Sequence, residues 1–190
     1  MRISQLQQIV PPPRHPVETG SHKAWQQVQS RLGTPLPEDY KTFIDRYGTG
    51  AFHDFLVLYN PFSKQEDRDL FLALDTYHQA NRRVQGMISR PWSVVKPFEL
   101  YPAEGGLLPW GTTARMAQSF FWQVDGPPEN WVTILYHLQT GEYEVWKLPF
   151  STFIRKLLTR QIESVLLPDD FPPRYAPIQY NQPQDLVFYP

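Results

Sequence analysis

Apolar residues recur every three or four positions in the first third of the chain, which is typical of amphipathic helices. One such stretch begins at Pro37, where the missing N–H costs nothing, and ends before Gly48, which suits the left-handed residue after a helix. Another covers 21–32 and stops at Gly33. The predicted buried stripes are Trp25, Val28 and Leu32 in one helix, and Tyr40, Phe43, Ile44 and Tyr47 in the other.

Two later stretches also show helical spacing. Ser63 and Glu66 have the spacing of a capping box, so the sequence predicts a long helix from Ser63 to about Val84. A closing helix is predicted with Ser151 as its N-cap. Their predicted apolar faces are Leu70, Phe71, Leu74, Tyr77, His78 and Val84, and then Phe153, Ile154, Leu157, Leu158 and Ile162.

The remaining apolar runs are short and are bounded by glycine and proline, which predicts strands. One lies before Asn60-Pro61, because proline cannot donate to a strand ladder. The proline-broken segment 87–104 is predicted as a loop with at most one short strand. The predicted strands are 55–59, 107–111, 119–124, 131–137 and 142–148. This order indicates an α+β fold with a mixed or mostly antiparallel sheet, helices packed at its N-terminal side, and a closing C-terminal helix.

The chain divides into three parts by composition. Residues 1–16 are polar and then proline-rich, which predicts an extended arm. Residues 17–163 carry all the predicted helices and strands. Residues 164–190 are rich in proline but keep several aromatic residues, which disordered segments usually lack. We therefore expect this C-terminal extension to pack on the domain.

Composition limits the function. Eighteen basic and nineteen acidic residues give a net charge of −1, which disfavours direct nucleic-acid binding through a basic face. The absence of cysteine excludes disulfides and thiolate chemistry. No stretch is apolar and long enough to suggest a signal peptide or a membrane span, so the expected location is the cytoplasm and no membrane partner is expected.

Residues with catalytic chemistry do not form a recognisable pattern. The five histidines show no metal-binding spacing, and we expect His78 to be a hydrogen-bonded core residue. His53 and Asp54 adjoin, but in a strand they would point to opposite faces. A hydrolase using His53 or His137 remains an alternative. The sequence predicts no enzyme activity and no cofactor or metal.

Two features have both a structural and a binding interpretation. Glu66, Asp67 and Asp69, together with Glu142 and Glu144 on one face of a strand, are either a solvated surface or an anionic patch for a basic protein partner. Tryptophan has the same two interpretations, as core filler or as an exposed binding hot spot. The tryptophans of the predicted sheet half are Trp92, Trp110, Trp122, Trp131 and Trp146.

Leu32-Gly33, Tyr40, Phe43, Tyr47-Gly48 and Asn60-Pro61 follow one another in an order that resembles the SUKH superfamily, which includes eukaryotic Smi/Knr-type regulators of cell-wall synthesis. The likeness covers roughly 17–163 and leaves the C-terminal extension outside. In place of the acidic or Gly-Asp turn of that family the chain has Ala117-Gln118-Ser119. The residues that carry the resemblance are Leu32, Gly33, Leu36, Pro37, Tyr40, Phe43, Tyr47, Gly48, Asn60, Pro61, Phe62, Leu108, Pro109, Trp110, Gly111, Phe121 and Trp122, with the helix 150–158.

The resemblance implies a function that the residues alone do not. Many members of the superfamily are bacterial immunity proteins that bind and neutralise a cognate polymorphic toxin, often a nuclease. The leading hypothesis is therefore a non-enzymatic immunity protein whose partner is a protein toxin. The alternative is an intracellular regulatory or scaffold domain.

Overall fold

The fold was analysed in a computed structural model that describes residues 3–87 and 99–183, with side chains except those of 84–87. Trp92, most of the predicted loop 87–104, the side chain of Val84 and the last residues of the C-terminal extension lie outside this part. The helices are α1 (Ile3–Ile9), α2 (His22–Leu32), α3 (Glu38–Tyr47), α4 (Leu70–Met87) and α5 (Phe150–Leu158). The strands are β1 (Ala51–Phe52), β2 (Leu56–Leu58), β3 (Leu107–Thr113), β4 (Gln118–Gln123), β5 (Val132–His137), β6 (Tyr143–Trp146) and β7 (Tyr180–Asn181).

The strands form one seven-stranded antiparallel sheet in the order β6-β5-β4-β3-β2-β1-β7. This confirms the predicted α+β class. The sequence did not predict β1 or β7, which have two residues each and therefore leave no alternation to detect. β6 lies at one end of the sheet and β7 at the other.

Helices cover both faces of the sheet. On one face, α1, α3 and α5 pack together over Trp110 and Trp122, which are 0% and 1% exposed. On the other face, Tyr77 of α4 lies 5.1 Å from the ring of Phe121 and shares a 2.6 Å hydrogen bond with Ser119. These contacts confirm the stripes predicted for α2 and α3 and the core role of the described sheet tryptophans, of which Trp146 alone is half-buried.

The N-terminal segment corrects one prediction. An extended arm over 1–16 is wrong for Ile3–Ile9, which form α1. Leu6 is fully buried against the helical layer, and the Tyr47 hydroxyl donates to the Val10 carbonyl at 2.6 Å. A helix of this length is unstable alone, so its packing on α5 holds it.

Two predicted helix starts also differ. The hydroxyl of Ser63 accepts from the Gln65 amide in a turn, and a short 3₁₀ helix, Glu66–Arg68, follows. The N-cap of α4 is Asp69, whose carboxylate accepts from the Phe71 and Leu72 amides at 2.7 and 3.1 Å. α5 begins at Phe150, before the predicted cap Ser151. The Phe71 and Leu72 amides lie two and three residues after Asp69, where an N-cap side chain can reach them, whereas Ser63 is too far away along the chain.

The C-terminal extension lies against the domain as far as it is described. Leu167 and Phe171 are 6% and 8% exposed. β7 pairs with β1, and the Tyr180 hydroxyl donates to the Gly48 carbonyl at 2.8 Å. The extension therefore completes one edge of the sheet.

Candidate functional site

The first group of predicted site residues lies around the 3₁₀ helix that precedes α4. Glu66 and Asp67 are exposed, whereas Asp69 is half-buried and caps α4. Arg68 between them is 6% exposed, and its Nε lies 3.7 Å from a carboxylate oxygen of Asp67. Glu66 and Asp67 therefore present charge to solvent, while Asp69 stabilises the helix.

The second group lies on β6, where the sequence suggested that Glu142 and Glu144 face solvent. Glu142 is exposed and accepts from the Thr140 hydroxyl at 2.9 Å. Glu144 is half-buried on the helix side of the sheet and accepts from the Val165 amide at 2.8 Å. The reason is Trp146, which shares that face and packs 5.1 Å from Phe153. Burial of this large ring fixes which side chains of β6 face the helices and which face away from them.

The same orientation of β6 exposes two large side chains on the face that points away from α5. Tyr143 and Val145 are 63% and 46% exposed on the opposite face of β6. The exposed aromatic of the sheet is therefore a tyrosine, and the described tryptophans do not supply it. The two acidic groups also stay apart. Asp69 forms a bridge with Asn60 just after β2, and four strand spacings, about 19 Å, separate β2 from β6.

A different set of carboxylates converges where α3 and α5 begin. Glu38 and Asp39 form the first turn of α3, and Glu129 belongs to a second 3₁₀ helix, Pro128–Asn130. They line a cavity of about 160 Å³, hereafter the acidic pocket. Its apolar wall is formed by Trp122, Trp131 and Phe150, each less than 5% exposed.

Hydrogen bonds hold the pocket in shape. One oxygen of Asp39 accepts from both the amide and the hydroxyl of Ser151 at 2.9 Å, which joins the first turn of α3 to that of α5. The indole N–H of Trp131 donates to the Gly126 carbonyl at 3.0 Å and fixes the other wall. Ser151 and Trp131 are buried and Asp39 is half-buried, so these contacts shape the pocket before any partner binds.

The chemistry of the pocket favours a cation. Glu38 forms an ion pair with Lys41, while Glu129 is exposed and forms no ion pair or hydrogen bond with another described residue. Aromatic faces beside carboxylates attract a guanidinium or an ammonium group. The size of the cavity suits the end of an arginine or lysine side chain and not a whole cofactor.

A shallower groove of about 500 Å³ adjoins the pocket and shares Glu129 and Trp131 with it. This side groove is lined in addition by Asp125, Val145 and Lys147. It connects the acidic pocket to the exposed side of β6. Sequence reasoning missed the whole arrangement because its parts come from three distant segments, and the only local signal was an acidic residue after each of the Pro37 and Pro128 turns.

His78 and His137 each have a hydrogen-bonding partner of their own. His78 lies 2.8 Å from the Tyr101 carbonyl oxygen, which confirms it as a hydrogen-bonded residue, and His137 accepts from the Thr140 amide at 3.2 Å. His53 and Asp54 occupy a hairpin turn with φ of 52° and 53°, which corrects their placement in a strand. Burial lowers the pKa of His53, although Asp54 opposes this. Both oxygens of Asp54 accept from Asn181.

Two negative findings apply to residues 3–87 and 99–183. No group of three or more histidine, aspartate or glutamate side chains there is arranged to hold a metal ion. None of the helices in these ranges combines the length and apolar character needed to cross a membrane.

Comparison with known proteins gives one match. The sequence pattern of the SMI1/KNR4 family (SUKH-1) fits residues 20–189. The chain belongs to this family. The match includes the C-terminal extension, which corrects the narrower likeness over 17–163. Neither the curated proteins nor the solved structures include a match.

The SMI1/KNR4 motif around Asn60 has a structural role in this chain. Asn60 is fully buried, and its amide nitrogen donates to the Glu18 carbonyl at 2.9 Å and to the Thr49 hydroxyl at 2.7 Å. Its side-chain oxygen accepts from the Phe62 amide at 2.9 Å. The motif thus ties the segment before α2 to the sheet.

Proposed function

We propose that this chain is a non-enzymatic immunity-type protein that binds and neutralises a cognate protein toxin in the cytoplasm. The observation that carries the proposal is the acidic pocket, a preformed cavity with carboxylates at its rim and aromatic rings in its wall, on a chain of the SMI1/KNR4 family. Such a pocket accepts a basic side chain of another protein. No cofactor is needed for this action.

Charge explains why a toxin that acts on nucleic acid fits this surface. A nuclease needs a basic face to bind phosphates, and a protein that covers that face must present negative charge and apolar area. Glu129 and Asp125 supply exposed charge beside the pocket, and Trp131 supplies the apolar wall. The predicted binding residues Glu66, Asp67 and Glu142 belong to the proposal as outer charges that steer the approach.

The test begins with the protein encoded immediately upstream of this chain. Its expression alone is expected to stop growth, and co-expression of this chain to restore growth, with a stable complex of the purified pair. Deleting the gene for this chain from cells that lack the toxin is expected to be harmless. A standing growth defect in such cells, or no rescue, contradicts the proposal and favours a regulator of host proteins.

The contribution of the acidic pocket has a matched control. The double variant Asp125→Asn, Glu129→Gln is expected to slow association with the toxin about tenfold at low salt, because it removes exposed charge near the contact. Glu104→Gln removes one exposed charge that lines neither the pocket nor the groove and is expected to bind as the wild type does. Equal rates for all three proteins would remove the pocket from the proposed interface.

A further inference from the structure

The outer edge of β6 has backbone groups without partners. The His137 amide donates to the Glu142 carbonyl at 2.8 Å, and β5 and β6 continue from this bonded pair in antiparallel register. Bonded and non-bonded pairs alternate along such a ladder. The backbone N–H and C=O groups of Glu144 and Trp146 therefore face β5, whereas those of Tyr143 and Val145 point away from the sheet. No other described residue hydrogen-bonds to them.

The two edges of the sheet differ in protection. β7 has two residues, and the side chain of Asn181 is held by both carboxylate oxygens of Asp54 at 2.9 Å. β6 has four residues, carries no proline, and exposes the side chains of Tyr143 and Val145 beside the free backbone. Natural edges are usually blunted by short length, proline or charge. β6 is the edge that can accept another strand.

The charge beside this edge indicates what kind of strand fits. Val145 lines the side groove together with Asp125, Glu129 and Lys147, so two carboxylates stand there against one cation. A strand laid along β6 places alternate side chains on the face where this groove opens. Self-pairing with Tyr143 opposite Val145 of a second copy would place the two Glu144 side chains directly opposite each other, and like charges in such a pair are destabilising.

We propose that the outer edge of β6 pairs with a β-strand of the toxin whose basic side chain enters the side groove. The inference rests on the proposed function and adds the mode of binding to it. Strand addition gives affinity through main-chain hydrogen bonds, while side-chain pockets give specificity. Tyr143 and Val145 offer one donor and one acceptor each to the incoming strand.

The structure allows a variant that removes only the outward donor. Val145→Pro deletes an N–H that faces away from β5, and proline is tolerated at such edge positions. Val145→Thr keeps the N–H and the branched side chain and is the matched control. Since a lost backbone hydrogen bond leaves an acceptor unpaired, Val145→Pro is expected to weaken toxin binding about 30-fold. Val145→Thr is expected to stay within about threefold of wild type.

A second variant covers the case in which Val145→Pro does not fold. The double change Tyr143→Lys, Val145→Lys keeps every backbone N–H and repels a basic strand. It is expected to weaken binding as strongly as Val145→Pro does. If the toxin is neutralised and both variants bind it as wild type does, the strand-addition inference is overturned while the proposed function stands.

A probe that does not require the toxin distinguishes failure of the strand-addition inference from failure of the proposed function. A capped hexapeptide of alternating arginine and valine is titrated into the full chain and followed by amide NMR shifts. Shifts centred on Tyr143 to Val145, absent with the glutamate–valine peptide and absent at Tyr143 and Glu144 in Val145→Pro, support the addition of a basic strand to β6 even if no toxin is neutralised. No shifts there overturn it. If the wild-type chain forms a dimer and Val145→Pro is a monomer, the inference is also overturned, because β6 then pairs with a second copy.

Discussion

The contact between Asp39 and Ser151 makes a sharp prediction about stability, because it joins two helices far apart in sequence. Ser151 is fully buried, and its amide and hydroxyl both donate to one Asp39 oxygen at 2.9 Å. Hydrogen bonds to a charged group contribute about 1.5–3 kcal/mol, and an unpaired buried amide costs about 1–3 kcal/mol. Asp39→Ala is therefore expected to lower the free energy of unfolding by about 3 kcal/mol.

The other corners of a double-mutant cycle follow from the same geometry. Ser151→Ala removes only the hydroxyl donor and should cost about 1 kcal/mol, because the amide keeps its acceptor. The double variant should cost about 1 kcal/mol less than the sum of the single variants. Asp39→Asn keeps an acceptor without the charge and should fall between wild type and Asp39→Ala. Glu38→Gln, in the same turn but 82% exposed, is the comparison variant; it loses an exposed ion pair with Lys41 and a first-turn charge, and should cost no more than about 1 kcal/mol.

The assay is urea unfolding followed by tryptophan fluorescence, with thermal unfolding as a second measurement. A loss of about 3 kcal/mol corresponds to a fall in Tm of about 6–12 °C for a chain of this size. A loss below about 0.5 kcal/mol for Asp39→Ala, or strictly additive single variants, would refute the reasoning. The α3–α5 junction would then be held by apolar packing alone.

Three further predictions concern stability. Gly48→Ala should cost about 3 kcal/mol or more in urea unfolding, because φ is 68° and the new Cβ would lie 2.0 Å from the Val17 carbonyl oxygen. Gly126→Ala, with φ of 64° and no neighbour within 4 Å, should cost only about 1 kcal/mol, and equal losses would contradict the steric argument. Leu6→Ala should cost about 3 kcal/mol because the side chain is fully buried, whereas exposed Gln5→Ala should be silent; a silent Leu6→Ala would mean that α1 does not dock. Burial lowers the pKa of His53 below 6.5, so its neutral form stabilises the fold above that pH, and this stability is lost as the pH falls below it. His53→Gln should therefore flatten the loss of stability between pH 7.5 and 5, and an unchanged acid slope would contradict the assignment.

Local patterns predicted the elements whose burial is decided locally. The stripe of α3 was predictable because its four buried residues repeat with the helical period and its ends carry their own signals. α1 was not predictable, since a seven-residue helix gains its stability from α5, which lies far along the chain. The N-cap of α4 was assigned to Ser63 because Ser63 and Glu66 have the spacing of a capping box, whereas the structure places the cap at Asp69. Only the intervening 3₁₀ helix decides between them.

Alternation along β6 predicts a strand but does not predict which face of the strand is buried. Tyr143 and Val145 alternate with Glu144 and Trp146, so either pair satisfies the period of a strand. The decision comes from Phe153 on α5, which accepts the ring of Trp146 and thereby draws Glu144 inward. The same tertiary choice exposes Tyr143 and Val145. One contact therefore removes a predicted acidic site residue from solvent and creates an apolar edge.

The residues that place the chain in its family are mostly different from those that line the acidic pocket and the β6 edge. Asn60 and Gly48 hold chain segments together in buried positions, so changing them alters the scaffold before any surface. Glu129 and Tyr143 are exposed and make few internal contacts, so they can change at little cost to folding. Under the proposed function this separation is useful, because a stable scaffold can then present different charges and edges to different partners. Specificity of this chain should accordingly reside in its exposed carboxylates and in β6, with the family motif setting only their positions.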